Sequence, residues 1–157
     1  MSIHYVFGDI LKYQVDAIVN PVNCVGVMGA GLALKFKQKY PKMFLKYQKH
    51  CENGHIRPGG IMVYDLYKEE LRNDRVRYIL NIATKNHWKH PSKTSFVENA
   101  LYNLHENLKP YSYIDSIAIP YLGCGLGGLN KEDVKKMFDK YLTTEEWRNK
   151  QIYIVGD

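Results

Sequence analysis

A chain of 157 residues has room for one domain, taken here as residues 1–157, and not for two. Its hydrophobic share of 45%, with 13% aromatic residues, is enough for a packed core and excludes a disordered chain. The net charge of +6 suits a polyanionic partner, but the lysines are scattered without a dense block, so a solvated basic surface fits equally well.

No apolar run approaches the ~20 residues of a membrane helix. The opening Met1-Ser-Ile-His-Tyr has neither the basic region nor the apolar stretch of a signal peptide. Cys24, Cys51 and Cys124 lie far apart with no Cys-x-x-Cys pair, which favours free thiols and a cytoplasmic setting and disfavours a zinc ribbon.

Along the chain, Ile3 to Phe7 reads as a short strand closed by Gly8-Asp9. Val15 to Asn20 is an almost continuous apolar run, the pattern of a strand buried on both faces. It enters a glycine-rich turn, Asn20-Pro-Val-Asn23-Cys-Val-Gly26-Val-Met-Gly29-Ala30-Gly31-Leu32, and then a helix from Ala30 to Tyr40 with Leu32, Ala33, Phe36 and Tyr40 on one stripe. A strand, a glycine turn and a helix start in that order aim backbone N–H groups at an anion, usually a phosphate. Pro41 ends this helix or starts the next, in which Phe44, Tyr47 and Cys51 recur at helical spacing before Asn53-Gly54 closes it.

Pro58-Gly59-Gly60 turns into a strand from Ile61 to Leu66, and Tyr67 to Arg75 reads as a hairpin or exposed loop. Val76 to Ala83 is a further buried strand. Thr84 to Lys93 is a polar and aromatic loop long enough to suggest a function. The helix after it buries Phe96, Val97, Ala100, Leu101, Leu104 and Leu108, capped by Ser92 or by a box of Ser95 and Glu98. Ser116 to Pro120 leads to a second glycine loop, Gly123-Cys124-Gly125-Leu126-Gly127-Gly128. Asn130 caps a last helix with Val134, Met137, Phe138, Tyr141 and Leu142 inward, and Gln151 to Val155 is a terminal strand. Strands alternating with helices predict a mostly parallel α/β sheet between helical layers.

The second loop satisfies Gly-x-Gly-x-x-Gly, yet only 29 residues follow Gly128, too few for the dinucleotide-binding unit that this fingerprint opens. No P-loop motif is present. Two glycine loops at strand ends point instead to the two walls of a diphosphate site.

Taken together, Gly8-Asp9-Ile10, Ala17-Ile-Val-Asn20-Pro-Val-Asn23 with Gly26-Val-Met-Gly-Ala-Gly31, and Ile119-Pro-Tyr-Leu-Gly-Cys-Gly-Leu-Gly-Gly128 resemble the macro domain, a family that binds ADP-ribose. The resemblance covers essentially the whole chain. It implies a three-layer α/β/α fold with a mixed, mostly parallel sheet. It also implies that Asp9, beside Ile10, accepts from the adenine amino group. Gly29, Ala30, Gly31 and Leu32 would face Gly123, Cys124, Gly125, Leu126 and Gly127 across the diphosphate and distal ribose, with Asn20 and Asn23 near that ribose.

Within the family, the Val-Met-Gly-Ala-Gly-Leu run and Thr84-Lys85-Asn-His87-Trp88 resemble the DNA ADP-ribosyl glycohydrolases of the DarG type and, more distantly, the terminal ADP-ribose protein glycohydrolases. Both use a lysine where Lys85 stands. The protein-acting enzymes add an acid in the second loop, where this chain has Gly127, so the resemblance favours DNA-linked over glutamate-linked ADP-ribose.

The resemblance implies an ADP-ribosyl hydrolase, acting most plausibly on thymidine in single-stranded DNA, as a monomer without cofactor or metal. The DarG-type antitoxins carry a further domain, so a stand-alone, phage-encoded or bacterial eraser is expected. Two alternatives remain open: an ADP-ribose 1''-phosphate phosphatase or O-acetyl-ADP-ribose deacetylase, and a non-catalytic reader of ADP-ribose.

From the residues themselves, Lys85 ends a buried strand, where loss of water would favour the neutral, nucleophilic amine; a lysine contacting phosphate is the plainer alternative. His87 is an acid–base candidate because imidazole titrates near neutral pH, though a solvated loop histidine fits as well. Trp88, Lys89, His90 and Lys93 form a basic-aromatic patch that would stack a base and hold phosphates, unless Trp88 packs onto the next helix. His87-x-x-His90 lacks a third ligand for a metal. Cys24 and Cys124 are read as packing residues.

Overall fold

The computed structural model describes residues 3–111 and 114–157. A six-stranded sheet runs in the order β1-β6-β5-β2-β4-β3, where β1 is Ile3–Phe7, β2 Ala17–Val22, β3 Ile61–Asp65, β4 Tyr78–Ala83, β5 Ser116–Pro120 and β6 Gln151–Gly156. All pairings are parallel except β3 with β4, giving the expected mixed, mostly parallel sheet.

The apolar runs are central for a simple reason. Each residue of β4 is buried, and β2 is buried at all but Pro21, because helices cover both faces. On one face, Ala17, Val19, Leu80 and Ile82 pack with Val97, Leu101 and Leu104 of α4 (Thr94–Leu108) and with Val134 and Phe138 of α5 (Lys131–Tyr141). On the other, Ile18 and Ile79 meet Phe36 of α1 (Gly31–Lys39) and Met43, Phe44 and Tyr47 of α2 (Pro41–Glu52). Pro41 therefore starts α2, at the position where a missing N–H costs nothing.

At the opposite end of the sheet from the glycine loops, Asp16 ties three strands together. Its carboxylate accepts from the N–H groups of Asp115 (2.8 Å) and Ser116 (3.1 Å) and from Arg75 (2.5 Å). Its carbonyl accepts from Arg77 and Tyr78, both at 3.0 Å. Burial alone would raise its pKa, but these donors outweigh it and hold the carboxyl below the usual value.

Several local expectations are corrected. The second strand begins at Ala17 and runs on to Val22, because the backbone of Asp16 is spent on neighbouring strands. Tyr67 to Arg75 is not a plain loop: Leu66–Glu70 forms a short helix, α3, since Asp65 caps it by accepting from the N–H groups of Tyr67 and Lys68. Neither Ser92 nor Ser95 caps α4, whose N-cap is Lys93 with no side-chain bond; Ser95 is already inside the helix. Asn130 caps α5 as expected, accepting from Asp133 N–H at 3.2 Å. Two short 3-10 turns were not expected from the sequence, Ile10–Lys12, which buries Ile10, and Glu145–Trp147, which buries Trp147 in the core.

Candidate active site

The carboxyl ends of the parallel strands share one edge of the sheet, and a cleft of about 1220 Å³ opens there. Its walls come from Gly8 to Ile10 after β1, the loop after β2, Thr84 and Lys85 after β4, and the loop after β5. This is where an open α/β sheet places its ligand.

The first glycine loop is held by Asn23. Its Oδ1 accepts from the N–H groups of Val25 (3.1 Å) and Val27 (3.4 Å), and its Nδ2 donates to the Val27 carbonyl at 2.7 Å. The buried hydroxyl of Tyr47 lies 2.8 Å from both the carbonyl oxygen and Oδ1 of Asn23. Burial pushes that phenol well above its ordinary range, so it remains a neutral donor. The loop runs into α1, whose N-cap Ala30 offers no side-chain bond and whose first turn holds no acid. Free N–H groups thus face the cleft, the arrangement that receives a phosphate.

The second loop is locked from the opposite side. Ser92 N–H donates to the Gly127 carbonyl at 3.0 Å. A Cβ on Gly127 would fall 2.3 Å from Ser92 Oγ and 2.4 Å from the Gly123 carbonyl oxygen, so no side chain fits there. Ser92 is 5% exposed, and its hydroxyl has no partner among the described residues. The two loops also touch each other: a Cβ on Gly31, whose φ is +58°, would lie 3.3 Å from Leu126.

Lys85 is half-buried on the cleft wall. Its backbone is fixed on both sides, its N–H pointing to the Val22 carbonyl (3.4 Å) and its own carbonyl to Cys24 Sγ (3.5 Å). Cys24 N–H also donates to the Asn86 carbonyl at 3.1 Å. Lys35 and Lys131 line the same cleft, while Asp9 and Asp157 stand at the β1–β6 end. A ligand with central negative charge and a hydrogen-bond donor at one end matches this layout.

Burial disfavours the thiolate form of both loop thiols. Burial, with Cys51 adding to it, pushes Cys24 up to about 11, and burial raises Cys124 as well. Both stay protonated near neutral pH.

A family model described as the Macro domain matches residues 19–138. The chain belongs to the macro domain family. It is 42% identical over 134 residues to the DNA ADP-ribosyl glycohydrolase of Mycobacterium tuberculosis, a match covering 85% of this chain and 37% of that protein. The chain therefore corresponds to well under half of that relative. The solved macrodomain of M. tuberculosis DarG superposes with a TM-score of 0.89 at 38% identity, covering 98% of this chain and 96% of that one. Thermosipho africanus DarTG in complex with ADP-ribose gives a TM-score of 0.87 at 31% identity, over 99% of this chain and 42% of that one.

In this macro domain Asp9, Ile10, Asn23, Gly29, Ala30, Gly31, Leu32, Gly123, Cys124, Gly125, Leu126, Gly127 and Lys85 all border one cleft. One oxygen of Asp9 accepts from Leu11 N–H at 3.0 Å, which orients the carboxylate. Two expectations need correction. Asn20 is not on the cleft wall: it is fully buried in the sheet, donating to Asn81 Oδ1 at 2.9 Å across the β2–β4 pairing. The strand runs two residues past it, so Asn23, not Asn20, reaches the mouth. His87 is likewise absent from the cleft wall; its Nδ1 accepts from Lys89 N–H at 3.1 Å, which spends the nitrogen on the loop's own turn. The sequence reading missed Lys35, Lys131 and the cleft role of Ser92. Only the position of Lys131 just after the Asn130 cap hinted at a helix start near the site.

Proposed function

We propose that this macro domain binds ADP-ribose and hydrolyses its linkage to a nucleic-acid base, most readily thymidine in single-stranded DNA. The observation that carries the reading is the position of Lys85: an amine on a fixed backbone, lining the same cleft as both glycine loops. The names of the relatives add support. Gly127 narrows the choice further, since the second loop has no space for the carboxylate that a protein-acting site would use.

Asp9 receives the adenine amino group. The N–H groups of α1 and of the second loop hold the diphosphate, with Lys35 and Lys131 offsetting its charge. The distal ribose then lies toward Lys85. The amine nitrogen of Lys85 attacks the anomeric carbon as the bond to the base breaks, through oxocarbenium-like charge development. The base leaves with the bonding electron pair and receives, through water, the proton shed by the attacking nitrogen. A second water hydrolyses the ribosyl–lysine bond, returning ADP-ribose and the free amine. An enzyme of this kind reverses the work of a DNA ADP-ribosyltransferase.

The test is release of ADP-ribose from modified single-stranded DNA, compared with glutamate-modified protein and with ADP-ribose 1''-phosphate. Release from DNA is expected, and Lys85→Ala should abolish it while ADP-ribose still binds. Release from protein alone would overturn the proposal. Turnover of the phosphorylated nucleotide alone would identify a phosphatase, and binding without any turnover a reader.

A further inference from the structure

The loop between β4 and α4 carries a feature at the rim of the cleft that the ADP-ribose contacts proposed above leave free. Trp88 is 50% exposed at the cleft wall. Its ring pairs with His87, with centroids 5.3 Å apart and planes 35° apart, and with Lys89 Nζ at 5.2 Å. His90 lies 5.5 Å from His87. Lys89, His90 and Lys93 are all exposed. From Thr84 to Lys93 the sequence holds no acidic residue, and among the described residues no carboxylate pairs with Lys89 or Lys93.

The loop is also anchored at both ends, by Cys24 N–H on the Asn86 carbonyl at 3.1 Å and by Ser92 N–H on the Gly127 carbonyl at 3.0 Å. Within it, His90 N–H donates to the His87 carbonyl at 3.0 Å. An exposed indole on a fixed turn loses little freedom when something stacks on it.

We propose that Trp88, Lys89, His90 and Lys93 form a binding seat for single-stranded nucleic acid, next to Lys85, that starts at the rim of the ADP-ribose cleft with Trp88 and runs outward from it. A base of the strand stacks on the indole, and the two lysines take the flanking phosphates. The proposal deepens the nucleic-acid reading above and rests on it. Charge selects the partner: a cationic patch without acids, centred on an aromatic face, matches a polyanion with free π-faces. A duplex keeps its bases stacked and offers no such face. Lys89, now over the ring, moves outward to phosphate, since an exposed cation–π contact is weaker than a base stack.

Two measurements test the seat. In the first, a fluorescein-labelled, thymidine-rich 12-mer without ADP-ribose is titrated with the protein by anisotropy. Single strand is expected to bind better than the same sequence as a duplex. Trp88→Ala should weaken binding about ten- to hundredfold, with Trp88→Phe restoring most of it. Lys89→Ala with Lys93→Ala should lower the log–log salt slope by about 1.4. In the second, kcat/KM is compared between an ADP-ribosylated oligonucleotide and the ADP-ribosylated mononucleotide. The variants should erase the preference for the oligonucleotide, and Lys89→Ala with Lys93→Ala should leave ADP-ribose affinity unchanged. No binding of the 12-mer by the native protein, or binding indifferent to all the variants, overturns the seat. Failure to release ADP-ribose from DNA while these binding effects persist overturns the hydrolase reading and leaves the seat standing.

Discussion

On the reading proposed above, Lys85 and Gly127 divide the chemistry of the site between a group that is present and one for which the loop has no space. If the Lys85 amine attacks carbon, a guanidinium cannot replace it, because arginine stays protonated in proteins. Lys85→Arg should therefore lower turnover of ADP-ribosylated DNA by at least about a hundredfold with ADP-ribose affinity kept within a few-fold. Retained turnover would make Lys85 an electrostatic catalyst instead. Gly127→Glu should not confer activity on glutamate-linked ADP-ribose. With Ser92 Oγ 2.3 Å and a backbone oxygen 2.4 Å from the new Cβ, the change should cost about 1–3 kcal/mol, a melting temperature lower by several degrees for a chain of this size. Release of ADP-ribose from glutamate-modified protein checks the first effect and thermal denaturation the second.

Among the elements, β2 has its start tied by Asp16 and its centre by the Asn20–Asn81 bond. Asp16 and Asp65 are both held below the ordinary carboxyl value, despite the opposing effect of burial, by their N–H and arginine donors. Their stabilisation is complete above the unfolded-state value near 3.8 and is lost as the pH falls below it, through the lowered native values. Denaturant midpoints should thus hold steady near neutrality and drop in acid, and Asp16→Asn should flatten that drop. Asp16→Ala should cost about 2 kcal/mol at neutral pH, as three charge-assisted bonds are lost. The strands were legible because continuous apolar runs leave little else for Ala17 to Val19 or Ile79 to Ile82 to do. The cap of α5 at Asn130 was legible too, but the start of α4 was not, since nothing in the sequence tells that the Ser92 side chain leaves the helix alone while its backbone N–H bonds a distant loop. Asn20 misled for a related reason: two asparagines bracket Pro21-Val22, both are buried, and only the strand's true length tells which one borders the cleft.

At the scale of the whole molecule, the parallel strands all deliver their carboxyl ends to one edge, so loops distant in sequence become a single cleft. The glycine loops announced that cleft, because their composition serves close approach and little else. Lys35 and Lys131 did not, being two of many scattered lysines until the sheet brings α1 and α5 to the same mouth. Because that wall is assembled from the whole fold, the ligand should report on global stability. ADP-ribose at a hundred times its dissociation constant should add about 2.7 kcal/mol, a rise in melting temperature of roughly 5–11 °C. A calorimetric scan showing no shift would mean that the cleft does not take ADP-ribose.

The crowding around Gly127 also has a historical side. A codon change that placed an acid in this loop would meet Ser92 before it met any substrate, so the intermediate would be selected against. A lineage that adopted such an acid on this framework would first need Ser92 moved or replaced to make room for it. The order of those steps is open to test by reconstructing ancestral sequences: residue 92 should change first, and the two substitutions should never appear in reverse.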